Sequence, residues 1–211
     1  MAAPDRQAHW DSVYRAKRED EVSWFQASPT LSLDLIHATG VERSAPIIDV
    51  GGGASRLVDA LSEEGFANLT VLDVSEAATE KTKVRLGARA TGVTWIVADV
   101  TTWEPARTYD VWHDRAAFHF LTGPDDRVAY AQRILRAVRP GGHVIIGTFA
   151  LDGPERCSGL PVVRHDAKSI GHVLGPLFEL IETHRNEHQT PMGGNQKFQF
   201  SRFQRVSDRS E

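Results

Sequence analysis

Ile47-Ile48-Asp49-Val50-Gly51-Gly52-Gly53-Ala54-Ser55-Arg56 runs from an apolar stretch through a carboxylate into three glycines, and Leu57, Ala60 and Leu61 follow at helical spacing up to Gly65. A short apolar run, a glycine turn and a 3.6-period pattern read as strand, tight turn and helix. A dinucleotide site wants a further glycine where Arg56 stands, so the G-x-G-x-x-G pattern fails here. Asp49 sharpens the reading. A carboxylate at the strand end suits a ligand with positive charge and sits badly beside a pyrophosphate. The competing reading is a plain tight turn with Asp49 as a cap.

The same unit repeats along the chain. Leu69 to Val74 is a second strand, and Ser75 is placed to cap a helix through Ala77, Ala78 and Val84 that ends near Gly92. Val93 to Ala98 and Tyr109 to His113 are the next strands. Pro124-Asp125-Asp126 opens a helix with Val128, Ala131, Ile134, Leu135 and Val138 on its apolar face, and Pro140-Gly141-Gly142 is expected to stop it. His143 to Phe149 is a fifth strand, continuous in apolar residues at its centre as a strand buried on both faces should be. A long loop, Leu151 to His165, then leads to a helix over Asp166 to Leu174. Phe178 to His184 and Lys197 to Arg205 read as two closing strands joined in hairpin fashion. Alternating strands and helices with short connections predict an α/β, doubly wound, mostly parallel sheet covered on both faces, three layers in all.

At 211 residues the length predicts a single domain. Within it, 1–40 reads as an N-terminal helical lid segment, 41–206 as a Rossmann-like core and 207–211 as a polar tail. The net charge of -4, with both signs interspersed, offers no field for a phosphate backbone, so nucleic acid is not an expected partner. Cys157 is the only cysteine, which excludes an intramolecular disulfide and a cysteine-rich zinc site; no metal site is expected. No apolar run approaches the length of a membrane span, and a cytoplasmic protein is expected. The oligomeric state is left open.

In open sheets of this kind the ligand lies at the carboxyl ends of the strands. Three acidic residues stand there: Asp49, Asp73 in Val71-Leu72-Asp73-Val74-Ser75, and Asp99 in Val97-Ala98-Asp99-Val100. A carboxylate at Asp73 can accept both hydrogen bonds of a ribose diol, and one at Asp99 can accept from an adenine amino group while Val100 packs on the ring. Taken alone, Asp73 is more often a helix-start residue and Asp99 a loop aspartate. Together they describe a pocket for an adenosine that carries positive charge, as S-adenosylmethionine does with its ammonium and sulfonium.

The run Asp49-Val50-Gly51-Gly52-Gly53, then Asp73, Asp99 and Arg139-Pro140-Gly141-Gly142, resembles the class I (seven-stranded) S-adenosylmethionine-dependent methyltransferases over roughly residues 9 to 205. The resemblance implies sheet order 3-2-1-4-5-7-6 with strand 7 antiparallel. It also implies backbone approach to the cofactor at Gly51 and Gly53, the ribose on Asp73, and the adenine framed by Asp99 and Val100. Ser55 departs from the family's glycine pattern. Trp10-Asp11-Ser12-Val13-Tyr14, Ser23-Trp24-Phe25 and Asp114-Arg115-Ala116-Ala117 further resemble both thiopurine methyltransferase relatives and the lysine methyltransferases of elongation factor and citrate synthase.

The expected cofactor set is Tyr14, Trp24, Asp49, Gly51, Gly52, Gly53, Ser55, Asp73, Val74, Ser75, Asp99, Val100 and Asp114. The expected catalytic set is Asp114, Arg115 and His119, read as lying just after strand four. His119 would act as base, and Arg115 would orient an anionic acceptor or pair with Asp114. The alternative makes Asp114 and Arg115 a structural ion pair and His119 a helix-face histidine. Trp10 is expected in the core, with Tyr14 and Trp24 in a lid over the site. The expected reaction is in-line methyl transfer to a small-molecule acceptor, a thiol, amine or metalloid. The alternatives are a protein lysine and a non-catalytic cofactor-binding protein.

Overall fold

The computed structural model describes residues 3–206. One mixed sheet contains β1 (Ile47–Val50), β2 (Leu69–Asp73), β3 (Val93–Val97), β4 (Tyr109–Arg115), β5 (Val138–Phe149), β8 (Phe178–Gln189) and β9 (Asn195–Arg205). β6 (Arg156–Cys157) and β7 (Leu160–Pro161) form a separate small hairpin. The helices are α1 (Ala3–Ala16), α2 (Thr30–His37), α3 (Leu57–Glu63), α4 (Glu76–Leu86), α5 (Pro124–Ala137) and α6 (Ala167–Leu174). The sheet order β3-β2-β1-β4-β5-β9-β8 places β8 and β9 where sixth and seventh strands are expected, with β9 antiparallel to both neighbours. No helix among the described residues is long and apolar enough to cross a membrane.

Strand alternation divides the core into two layers. Ile47, Val71, Val111 and Ile145 face α2 and α3, whereas Ile48, Leu72, Trp112, Val144 and Ile146 face α5 and α6. Each fully buried aliphatic or aromatic side chain contributes on the order of 1.5–3 kcal/mol.

Several boundaries differ from the sequence reading; among them, β8 runs on to Gln189, past the expected end at His184, and β9 begins at Asn195 and not Lys197. α4 stops at Gly87, where φ is +58°, and residues 87–92 form a 3-10 turn. α5 ends at Ala137 because Val138 is already extended (φ -92°, ψ 124°), and Arg139, preceding a proline, is disfavoured in the helical region. Arg139 to Gly142 instead bulge from the pairing of β5, whose register on β4 jumps from Tyr109↔Val138 to Val111↔His143. The loop from Leu151 contains the β6–β7 hairpin. β4 continues two residues beyond His113, to Arg115, and this extension decides the geometry of the site.

Candidate active site

A cleft opens over the carboxyl ends of β1, β2, β3 and β4, lined among others by Val50, Gly51, Asp73, Val74, Asp99, Val100 and Arg115, and roofed by Trp10, Tyr14 and Trp24. The floor begins at the glycines. Gly51 has φ +70°, and a Cβ there would lie 2.7 Å from that of Ala117. Gly52 and Gly53 are pressed onto carboxylates: a Cβ would come within 2.2 Å of Asp49 Oδ2 and 2.6 Å of Asp73 Oδ2. Side chains at these positions would displace the acidic groups.

Asp73 is held by the backbone. Gly53 N donates to Oδ2 (2.9 Å) and Ser75 N to Oδ1 (2.8 Å). Burial nevertheless pushes its carboxyl up to about 6, with Asp49 and Asp11 adding repulsion, while the two N–H donors resist the shift. Gly53 and Ser75 thus support Asp73 and do not line the cleft. Ser75 Oγ caps α4 by accepting from Ala78 N (3.1 Å), and Asp11 of α1 reaches in to accept from Ser75 Oγ (2.6 Å) and Ala77 N (3.1 Å). Ser55 Oγ accepts from Leu57 N (3.0 Å) at the start of α3, bordering a second, adjoining cleft with Asp49 and Gly52.

Asp99 and Val100 line the main cleft. Asp99 Oδ1 accepts from Thr101 N and Oγ1 (2.8 and 2.6 Å), and Oδ2 accepts from Arg6 Nη1 (2.9 Å). Arg6 also pairs with Asp126, so α1 is latched across this end of the cleft. Arg6, Trp10 and Tyr14 are spaced by four along α1, which puts them on one face. That spacing was the legible signal for Arg6. It also corrects Trp10, which faces the cleft and not the core.

Asp114 and Arg115 point to opposite faces because both lie on β4. Asp114 is fully enclosed on the α5 side. Its Oδ2 accepts from Tyr130 Oη (2.6 Å), and its Oδ1 accepts from Ala117 N (2.9 Å) and Phe118 N (3.2 Å). It organises the turn after β4, where Ala116 takes φ +71°, a conformation costing a non-glycine residue about 1–2 kcal/mol. Asp114 therefore lines neither cleft, contrary to the expectation, and it is not the ion partner of Arg115. Burial pushes its carboxyl up to about 6, opposed by the Tyr130 hydroxyl. Tyr130→Phe is expected to lower stability by about 1.5–3 kcal/mol, because a buried charged acceptor loses its donor. Denaturant titration measures this, and affinity for S-adenosylhomocysteine should stay within about twofold.

Arg115 lines both clefts. Nη1 donates to Trp24 O (2.9 Å), the guanidinium lies 4.9 Å from the Phe198 ring centre, and Nε and Nη2 have no partner. Burial pulls it down to about 10, still charged at neutral pH. Phe120, Leu121, Cys157, Leu160 and Pro161 line the same main cleft. Burial raises the Cys157 thiol to about 11, so it stays protonated.

His119 corrects the sequence reading. It is wholly buried, its Nδ1 accepts from Phe149 N (3.3 Å), and its ring packs on Phe120 and Phe149 at 4.5 and 4.7 Å. Burial, reinforced by His165 and Arg115, lowers it to about 3. A neutral, enclosed imidazole is no base for a group in the cleft. His188 Nε2 donates to Ser23 O (2.8 Å), anchoring the segment that carries Trp24.

Sequence reasoning missed His113. Its Nδ1 bonds Asp49 Oδ1 (2.7 Å), its Nε2 bonds Ser32 Oγ (2.9 Å), and Asp49 Oδ2 is buried without a partner. The cleft thus combines a partnerless carboxylate oxygen, a second carboxylate beside a glycine turn and an apolar slot. These features fit a cationic adenosine ligand.

Residues 47–142 match the model of a methyltransferase domain family. The chain is 26% identical to thiocyanate methyltransferase 1 of Arabidopsis thaliana, over 82% of this chain and 76% of that protein. It is 29% identical to the probable thiol methyltransferase 2 of the same plant, over 84% and 76%. The crystal structure of the Burkholderia thailandensis 1,6-didemethyltoxoflavin-N1-methyltransferase, with bound 1,6-didemethyltoxoflavin and S-adenosylhomocysteine, superposes with a TM-score of 0.74 at 21% identity, covering 98% of this chain and 92% of that one. The family match over residues 47–142, the two relatives and the sheet order together support a class I S-adenosylmethionine-dependent methyltransferase.

Proposed function

We propose that this enzyme methylates a small nucleophile that arrives already ionised, of which a thiolate is the chief example. The observation that supports the reading is Arg115, whose Nε and Nη2 have no partner, in a cleft also lined by Phe120, Leu121, Leu160 and Pro161, while His119 is enclosed away from it.

In this reading Asp73 holds the ribose, Val74, Asp99 and Val100 enclose the adenine, and Gly51 lets the amino-acid tail lie against the backbone. The bound cofactor supplies a methyl group on a sulfonium, open to in-line displacement. The protein aligns the acceptor, excludes water with Trp10, Tyr14 and Trp24, and leaves proton removal to the acceptor's own ionisation. Arg115 draws the anion in and holds it, since a guanidinium with two unpartnered nitrogens and, among the described residues, no carboxylate bonded to it favours negative charge. The two thiol- and thiocyanate-methylating relatives support an acceptor of this kind. A protein lysine fits less well: it needs a group that takes its proton and charge, and the acceptor end presents a cation.

Incubation with methyl-labelled cofactor and a panel of thiols, amines and lysine peptides tests the proposal. Transfer to thiols over amines supports it, and preferential labelling of lysine peptides contradicts it. Arg115→Leu is expected to raise KM for an anionic thiol by roughly 10- to 100-fold, the scale of a lost charge-assisted contact. Affinity for S-adenosylhomocysteine should change little. An equal loss of cofactor affinity would assign Arg115 to the cofactor tail.

A further inference from the structure

Asp49 and His113 are cross-strand neighbours in the parallel register of β1 and β4, and both project to the face covered by α2. There His113 bridges Asp49 Oδ1 and Ser32 Oγ, at 2.7 and 2.9 Å, with all three residues buried. An imidazole caught between a carboxylate on one strand and a hydroxyl on a helix has no freedom to turn. It therefore fixes the plane of the Asp49 carboxyl group. The other oxygen, Oδ2, is packed against Gly52 with no hydrogen-bond partner, in a cleft that continues into the adenosine site through Gly51, Tyr14, Trp24 and Arg115. A buried carboxylate oxygen without a donor is costly unless a donor, best a cationic one, comes to it. Among the described residues no Lys or Arg nitrogen lies within 4 Å of the Asp49 carboxylate, and His113 is its side-chain neighbour.

We propose that His113, backed by Ser32, is a positioning residue that holds Asp49 so that Oδ2 receives the ammonium of the cofactor's amino-acid tail. The inference rests on the S-adenosylmethionine reading of the cleft. It assigns the polar chain behind the glycine turn to the amino-acid half of the ligand and not to the adenosine half.

The test compares two ligands by quenching of Trp10 and Trp24 fluorescence or by calorimetry. S-adenosylhomocysteine carries the ammonium; 5′-methylthioadenosine lacks the whole amino-acid tail. His113→Phe, which keeps the ring and removes both nitrogens, is expected to weaken S-adenosylhomocysteine at least about tenfold and leave 5′-methylthioadenosine unchanged. Ser32→Ala, a milder change that keeps the imidazole, should shift the ratio of the two affinities in the same direction by a smaller factor. Asp49→Asn should show the same selectivity, and His113→Phe added to it should weaken S-adenosylhomocysteine no further. Equal weakening of both ligands by His113→Phe and Ser32→Ala would show a merely structural role and overturn the proposal. So would unchanged binding of both. Failure of the wild-type protein to bind either ligand would instead overturn the adenosine reading itself.

Discussion

Asp73→Asn is expected to weaken S-adenosylhomocysteine by roughly 10- to 150-fold, corresponding to about 1.5–3 kcal/mol for hydrogen bonds to a charged group. The amide has one acceptor where the carboxylate has two, and Gly53 N and Ser75 N each require one. One of those donors will face an NH2 group, so the glycine turn loosens as the ribose contact is lost. 5′-Methylthioadenosine should lose as much as S-adenosylhomocysteine, in contrast with the His113 variants.

The wild-type pH dependence follows from the same group. Burial raises the Asp73 carboxyl to about 6, so its ionised fraction falls as pH drops through that value. Affinity for S-adenosylhomocysteine should therefore decline below pH ~6, approaching about tenfold per unit, and the decline should be absent in Asp73→Asn. Calorimetry from pH 5 to 8 measures both. Undiminished affinity at pH 5, or an unaltered Asp73→Asn affinity, would mean that the ribose lies elsewhere.

His119→Ala carries the largest expected effect on stability. The side chain is fully enclosed against Phe120 and Phe149, so truncation leaves a cavity and removes the acceptor of the Phe149 N–H, at a cost of about 2–4 kcal/mol. At about 2–4 °C per kcal/mol for a chain of this size, Tm should fall by roughly 5–15 °C. The kcat/KM of the folded fraction should stay within about twofold. The penalty is itself pH-dependent. The folded pKa, about 3, lies below the ordinary value, so as pH falls from ~6.5 the unfolded chain takes up a proton that the folded chain refuses. The wild type loses stability over that window and the variant does not, so the difference between them should shrink toward pH 4. A loss of ~10²-fold or more in turnover at unchanged Tm would restore His119 as a base.

The two outcomes show where the sequence was readable. Strand, glycine turn and helix at 47–61, and the acidic residue at or next to the end of each of β1 and β2, follow from local periodicity and turn chemistry. They place Asp49 and Asp73 where the structure has them. The catalytic set depended on a quantity that local pattern does not carry, namely how far β4 runs. Ending that strand at His113 puts Asp114 and Arg115 together in a loop. Two more extended residues send them to opposite faces, Asp114 to Tyr130 and Arg115 to the cleft, and carry His119 beneath Phe149.

The pairing of His113 with Asp49 and Ser32 was equally hidden, because it joins residues 64 and 81 positions apart and requires the register of β1 on β4. Arg6 lay closer to reach. Its spacing of four from Trp10, and of four again to Tyr14, marks the face that α1 turns to the cleft.

The central claim is that the acceptor arrives ionised and the protein contributes alignment and a guanidinium, with no base. A series of small thiols of graded pKa, each assayed for methyl transfer from pH 6 to 9 at saturating cofactor, tests it most directly. The account predicts that each thiol's rate rises with its own thiolate fraction, so that the inflection moves with the thiol's pKa, and that Arg115→Leu lowers every curve without moving its inflection. A single inflection common to all the thiols would report a titrating base in the enzyme and contradict the account.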